Sequence, residues 1–146
     1  MKKKELNIKN FSVIDLFCGV GGLTHGFAKE NFKIIAGIDF DDSCKYAFEK
    51  NNNAVFFHKD ISALSGEELT KKFPKGKKKI LIGCAPCQPF SIYNRGSSIK
   101  NKDGKWKLLY SFADLIEEVE PEIISMENVP LLVKFDGGKV FNKFIK

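Results

Sequence analysis

The 146-residue chain carries 24 lysines and arginines against 18 acidic residues, a formal charge of +6, and 43% hydrophobic residues. That is enough for one compact core; no apolar run is long enough to span a bilayer and no signal-like stretch follows the basic start, so a cytoplasmic protein without a membrane partner is expected. The four cysteines, Cys18, Cys44, Cys84 and Cys87, are irregularly spaced and read as free thiols, not as the framework of a small secreted domain.

Along the chain, apolar runs of strand length alternate with segments of helical period. Strands are predicted at Ser12 to Cys18, Lys33 to Asp39, Ala54 to His58, Lys79 to Ala85 and Glu122 to Glu127. Helices are predicted at Gly22 to Glu30, Asp42 to Asn51, Gly66 to Phe73 and Lys107 to Glu120. Asp42 and Ser65 serve as N-caps, and Pro121 closes the last helix. Several of the strand runs are continuously apolar, as in strands covered on both faces. Right-handed crossovers between five such strands give an α/β, doubly wound, Rossmann-like sheet of order 3-2-1-4-5. The end of the chain has Phe141, Phe144 and Ile145 at helical spacing with no stop signal, and reads as a helix cut short.

This topology sorts the residues that carry chemistry. Gly19 to Gly22, Asp39, Asp60, Cys87 and Glu127 all fall at or just after the end of a strand, so they share the carboxyl edge where doubly wound sheets bind ligands. The lysines between Lys71 and Lys79 precede their strand and fall on the opposite edge, where a solvated surface is the plainer reading. Arg95 is the only arginine, so bidentate reading of guanine is nearly absent from these residues.

The turn Cys18-Gly19-Val20-Gly21-Gly22-Leu23 ends a strand and opens a helix, and its glycines let a ligand approach the backbone. A dinucleotide fingerprint would want glycine where Thr24 stands, so a cofactor without a pyrophosphate suits the turn better. Asp39 lies about twenty residues further on, where a carboxylate accepts from ribose hydroxyls. Phe40 beside it offers a face to adenine, and Asp60 with Ile61 offers an acceptor and an apolar wall. Each acid alone is more simply a helix cap; three sites on one edge shift the balance.

In Gly83-Cys84-Ala85-Pro86-Cys87-Gln88-Pro89-Phe90-Ser91 two prolines stiffen the loop that presents Cys87, as a thiol nucleophile requires. Cys84 and Cys87 also form a Cys-x-x-Cys. Cys84 is expected inside the strand, pointing into the core, and no second Cys/His pair has zinc spacing, so no metal is expected. Cys18 and Cys44 read as small buried side chains, and His25 and His58 as structural or surface residues. Glu127, at the end of the fifth strand, lies across the cleft from Cys87, where a carboxyl group can hydrogen-bond a ring nitrogen.

Together, Asp15-Leu16-Phe17-Cys18-Gly19-Val20-Gly21-Gly22-Leu23, Pro86-Cys87-Gln88 followed by Pro89-Phe90-Ser91, and Glu127-Asn128-Val129 resemble the DNA cytosine-5 methyltransferase family over nearly the whole chain. The resemblance implies S-adenosylmethionine against Phe17, Gly19, Val20, Gly21, Gly22, Leu23, Asp39, Phe40, Asp60, Ile61, Pro86 and Leu108. It implies Cys87 as the nucleophile at C6 of a cytosine flipped out of double-stranded DNA, and Glu127 at N3. Gln88, Ser91 and Arg95 fall on what resembles a loop that closes over DNA. Asp39 departs from the family's more usual glutamate, shortening its reach to the ribose.

The family's recognition region and later motifs do not fit after Val129, so residues 1–146 are expected to be the N-terminal part of the catalytic domain, inactive alone. A shortened piece, a broken gene or one half of a split enzyme completed by a second chain would each account for this. Three other readings stand beside it: a tRNA-methylating branch of the same family, a noncatalytic cofactor-binding or partner subunit, and a redox or zinc protein built on Cys84 and Cys87.

Overall fold

A computed structural model describes residues 7–86 and 107–145. Its centre is β1 (Phe11–Leu16), all six residues of which are buried. The other strands are β2 (Lys33–Asp39), β3 (Val55–His58), β4 (Lys78–Gly83) and β5 (Ile123–Met126), and every pairing is parallel in the order β3-β2-β1-β4-β5. The sheet order is the one expected from the alternating pattern. The strands mostly start or stop one or two residues from the predicted bounds, because the apolar run and the ladder of backbone bonds need not end together.

The pleat divides the core into two layers. Ile14, Leu16 and Leu81 face α3 (Gly66–Thr70) and α4 (Leu108–Val119), where they meet Leu69, Phe112, Leu115 and Val119. Val13, Ile80 and Ile82 face α1 (Gly22–Lys29) and pack with Leu23 and Phe27. The inward positions of α4, Leu109, Phe112, Leu115 and Val119, recur at the three-to-four spacing of one helical face, and burying each is worth roughly 1.5–3 kcal/mol. Beside α1 lies α2 (Lys45–Asn52), whose Phe48 sits against Phe56 and Cys18. The helix α5 (Lys139–Phe144) follows a run of 3-10 turns from Pro130 and lays Phe144 on Phe112.

Between Val13 and Ile14 the register to β2 jumps from Ile34 to Ala36. One extra residue reverses which face the next side chains occupy. Ile34 therefore packs toward α1, whereas Ala36 and Ile38 pack toward α3 and α4.

The caps place helix starts near the expected positions, with one correction. Ser65 accepts from the Glu68 N–H at the start of α3, as expected. The helix expected to begin at Asp42 begins instead with a 3-10 turn over Asp42–Cys44, and Asp41, not Asp42, caps it by accepting from Ser43. At the other end of α4, Glu120 turns into the left-handed region at φ 49° and Pro121 prevents continuation.

The lysines of the opposite edge are engaged in the fold. Lys71 pairs with Glu67 at 2.6 Å, Lys72 lies over the Phe57 ring, Lys77 donates to the Lys9 carbonyl and Lys79 donates to the Val119 carbonyl.

Candidate functional site

At the carboxyl edge the ladder continues one step beyond each of four strands. Cys18 N–H donates to Ile38, Lys59 N–H to Asp39, Cys84 N–H to Leu16 and Glu127 N–H to Gly83. These bonds pin the loops that follow β1, β3, β4 and β5, so side chains just past the strands are held on a rigid rim.

The glycines of the first loop have separate tasks. Gly21 adopts φ 87°, and a Cβ there would meet Asn52 Nδ2 at 2.2 Å and Phe48 at 2.8 Å, so it is required by backbone and packing together. Gly19 has φ 50° and open space around it. Gly22 has open space and no unusual φ; its missing side chain leaves room and nothing else.

Asp39 joins this loop to the end of β2. Its Oδ2 accepts from Gly19 N–H at 2.8 Å and its Oδ1 from Asp41 N–H at 2.9 Å. Phe40 follows, 71% exposed, with its ring centroid 6.0 Å from that of His58. After β3, Asp60 Oδ1 accepts from both the N–H and the hydroxyl of Ser62, capping the turn Ile61–Ala63. The simpler capping role thus belongs to one oxygen of Asp60, and the residue still faces the cleft.

Two cavities open on this rim. One of about 440 Å³ is lined by Phe17, Asp39, Phe40, Asp41, Asp60, Ile61, Cys84, Pro86 and Leu108. The other, about 500 Å³, is lined by Asp15, Phe17, Cys18, Gly19, Val20, Gly22, Leu23, Cys84 and Glu127. Phe17 and Cys84 line both. Phe17 reaches this place because its backbone is left-handed, φ 57°, while its ring packs edge-on against Phe112.

Cys84 is the main departure from expectation. The apolar run places it in the strand and the core, but β4 stops at Gly83, and Cys84 is half-buried at the cleft with Sγ 2.7 Å from Glu127 Oε2. Cys44, expected to be buried, is also half-buried, whereas Cys18 is buried as expected. Burial pushes the Cys18 thiol far above its ordinary range, with the nearby Asp15 and Asp39 adding to the shift, so it is no nucleophile. Asn128 ties the fifth-strand loop to the fourth by donating from Nδ2 to the Ala85 carbonyl at 2.9 Å.

Cys87, Gln88, Ser91 and Arg95 lie outside the described residues. Among the described residues no three His, Cys, Asp or Glu side chains are grouped to hold a metal ion, and no helix is long and apolar enough to cross a membrane.

Two lining residues, Asp15 and Asp41, are not among those the sequence singles out. Asp15 is 1% exposed and accepts from the Thr24 hydroxyl through Oδ2, while Oδ1 has no partner among the described residues. Burial above all, with Asp39 adding a little, raises its carboxyl to about 7 despite the Thr24 hydrogen bonds. An acid inside a strand that is otherwise uncharged and mostly apolar is the signal that could have found Asp15.

A parallel sheet of this order, with a glycine turn after its central strand and acids closing the next two, defines a Rossmann-like methyltransferase fold. A prophage-encoded DNA modification methyltransferase from E. coli superimposes with a TM-score of 0.75 at 27% identity, over 92% of this chain and 36% of that one. The Dnmt2 methyltransferase of S. pombe, at 20% identity, shares the fold with a TM-score of 0.66 over 92% of this chain and 39% of its own. Residues 11–146 match the C-5 cytosine-specific DNA methylase family, and the chain belongs to that family. It is 56% identical over 136 residues to the Type II methylase M.HgiDII of Herpetosiphon aurantiacus and 33% identical over 134 residues to the Type II methyltransferase M.FnuDI of Fusobacterium nucleatum. Each match takes in 92% of this chain and 37% of the relative, so the chain spans little more than a third of their length.

Proposed function

We propose that residues 1–146 form the cofactor-binding and nucleophile-bearing part of a catalytic domain that methylates C5 of cytosine in DNA with S-adenosylmethionine, in a Type II modification system. The observation that carries this reading is the meeting of the two cavities at Phe17 and Cys84. One has the acids and rings that suit a nucleoside, and the other has the glycine loop and Glu127.

The residues present fit the cofactor. Asp39 keeps its loop contacts through one lone pair on each oxygen, leaving others for ribose hydroxyls. Phe40 and Ile61 offer apolar faces to adenine, and Asp60 has Oδ2 for its amino group. Pro86 and Leu108 close the same cavity. Gly19, Val20, Gly22 and Leu23 line the second cavity, and Gly21 holds their loop in shape. Asp15 Oδ1, buried and without a partner among the described residues, suits a positively charged ligand group. When bound, the cofactor supplies an electrophilic methyl group.

The chain's own part in the reaction is to prepare the base. A cytosine must leave the stack for its ring faces to be reached. The Cys87 thiolate then bonds to C6, and the ring electrons move toward C5 while Glu127, as the acid, donates at N3. Once C5 carries the methyl group, with S-adenosylhomocysteine as the leaving group, loss of the C5 proton to a base, return of the N3 proton to Glu127 and departure of the thiolate restore the ring. Gln88, Ser91 and Arg95 contact the DNA on this reading. Sequence recognition falls to polypeptide beyond these residues, in the same chain or in a second one, because the lysine cluster is on the wrong edge and Arg95 is the only arginine.

The test is a covalent trap. Duplexes of mixed sequence carrying 5-fluorocytosine cannot lose a C5 proton, so this chain, supplied with the polypeptide that carries sequence recognition, should remain bonded to DNA in denaturing gels when S-adenosylmethionine is present. The adduct should vanish in Cys87→Ser. An adduct that persists in Cys87→Ala would contradict the assignment.

A further inference from the structure

We propose that Asn52 is a positioning residue for the proposed reaction: its buried side-chain amide holds Gly21 in place and, through Gly21, sets the shape of the glycine turn. This rests on the cofactor reading above and goes beyond it by assigning part of the cleft's geometry to a residue of α2 that lines neither cavity.

Asn52 is an anomaly of the core. It is 7% exposed, on the last turn of α2. Its Nδ2 donates to the Phe48 carbonyl at 3.0 Å, while Oδ1 is buried with no partner among the described residues. A carbonyl can only accept, so the bond to Phe48 fixes which way round the amide sits. An apolar side chain would leave no oxygen unpaired, so stability alone does not account for an amide at this position.

What the amide touches does account for it. A Cβ on Gly21 would lie 2.2 Å from Asn52 Nδ2 and 3.2 Å from its Cγ, with Phe48 Cδ2 at 2.8 Å, so the Gly21 backbone rests directly on the amide and the Phe48 ring. A flat amide lets the backbone come this close. The branched end of a leucine would overpack the contact, an alanine would leave a void beneath it, and an aspartate would bury a charge. Gly21 in turn joins the two halves of the turn: its N–H donates to the Cys18 carbonyl at 2.8 Å, and its own carbonyl accepts from the His25 N–H at 2.8 Å as the cap of α1. Gly19 and Val20 on one side of it, and Gly22 and Leu23 on the other, line the cavity. Displacing Gly21 therefore displaces all four.

The experiment pairs calorimetric titration with S-adenosylhomocysteine and urea unfolding for the wild type, Asn52→Ala, Asn52→Ser and Val119→Ala. Serine can still bond back to the Phe48 carbonyl but is too short to support Gly21, so this variant decides the question if the alanine variant fails to fold. Under conditions where each protein is folded, both Asn52 variants should bind about tenfold more weakly than the wild type. Val119→Ala empties a core position at the end of α4, beside Lys79 on the opposite edge, and should lose stability yet bind as the wild type does. Gly21→Ala should weaken binding about threefold less in the Asn52→Ser background than in the wild type, because the amide it would strike is gone. Unchanged affinity in Asn52→Ser, equal losses in Asn52→Ser and Val119→Ala, or a Gly21→Ala loss of the same size in both backgrounds would overturn the proposal and leave the cofactor reading standing. A folded wild type that does not bind would overturn both.

Discussion

Cys84 Sγ lies 2.7 Å from Glu127 Oε2, joining the ends of β4 and β5 through their side chains just where the two cleft cavities meet. The contact leaves the other Glu127 oxygen to address a bound base, and it fixes the carboxyl at the rim. Cys84→Ala should therefore slow formation of the trapped DNA adduct several-fold, in line with a hydrogen bond worth about 1 kcal/mol, while Cys84→Ser, which keeps a donor, stays close to wild type. Equal loss in both variants would mean that the sulfur acts by packing and not by holding Glu127.

The glycines separate stability from binding. Gly21→Val forces a Cβ into Asn52 and Phe48 at φ 87°, so overpacking and backbone strain together should cost about 3 kcal/mol in denaturant unfolding. A Cβ at Gly22 meets nothing within 4 Å, so Gly22→Val should leave stability within about 0.5 kcal/mol. It intrudes on the cavity, however, and should weaken S-adenosylhomocysteine binding at least about tenfold, a loss of 1.4 kcal/mol.

Asp39 holds the glycine loop through Gly19 and the next turn through Asp41. Removing the carboxylate in Asp39→Ala leaves the part-buried Gly19 N–H without its acceptor and should cost about 1–3 kcal/mol, while the exposed Asp41 N–H turns to water. Cofactor affinity should fall as well, because the loop loses its tether and the ribose its acceptor. A variant of unchanged stability and unchanged affinity would remove Asp39 from both roles.

Asp15 makes the folded state prefer a proton. Its carboxyl, at about 7 in the fold against an ordinary 3.8, contributes stability that is full below about pH 4, declines as pH rises toward 7, and is flat above that. Within this window the slope from Asp15 approaches about −1.4 kcal/mol per pH unit. Urea unfolding at several pH values should show this decline in the wild type and its loss in Asp15→Asn.

Much of this was legible in the sequence, for reasons that particular residues show. Continuous apolar runs marked β1 and β2 because both faces of those strands are covered. Right-handed crossovers then left little choice of order, which put Asp39, Asp60 and Glu127 on one edge. Cys84 was misread because an apolar run does not say where the ladder stops, and one residue past Gly83 the side chain turns from core to cleft. Asp41 displaced Asp42 as the cap because both can accept from the next turn, and only the backbone path after Phe40 decides between them. The extra residue in β2 between Ile34 and Ala36 left no mark, since Ile34, Ile35 and Ala36 are apolar on either register. Asp15 was visible as an acid within an apolar strand, yet its role depends on Thr24 and the cavity, which only the fold assembles.

The proposed function requires that one cofactor lie across both cavities at the carboxyl edge. The most direct measurement is an amide shift map of the 15N-labelled chain titrated with S-adenosylhomocysteine. Saturable shifts are expected at Phe17, Gly19, Gly22, Asp39, Asp60 and Cys84, with Lys71 to Lys79 unmoved. Shifts confined to the lysine edge, or none in a folded chain at saturating ligand, would contradict it.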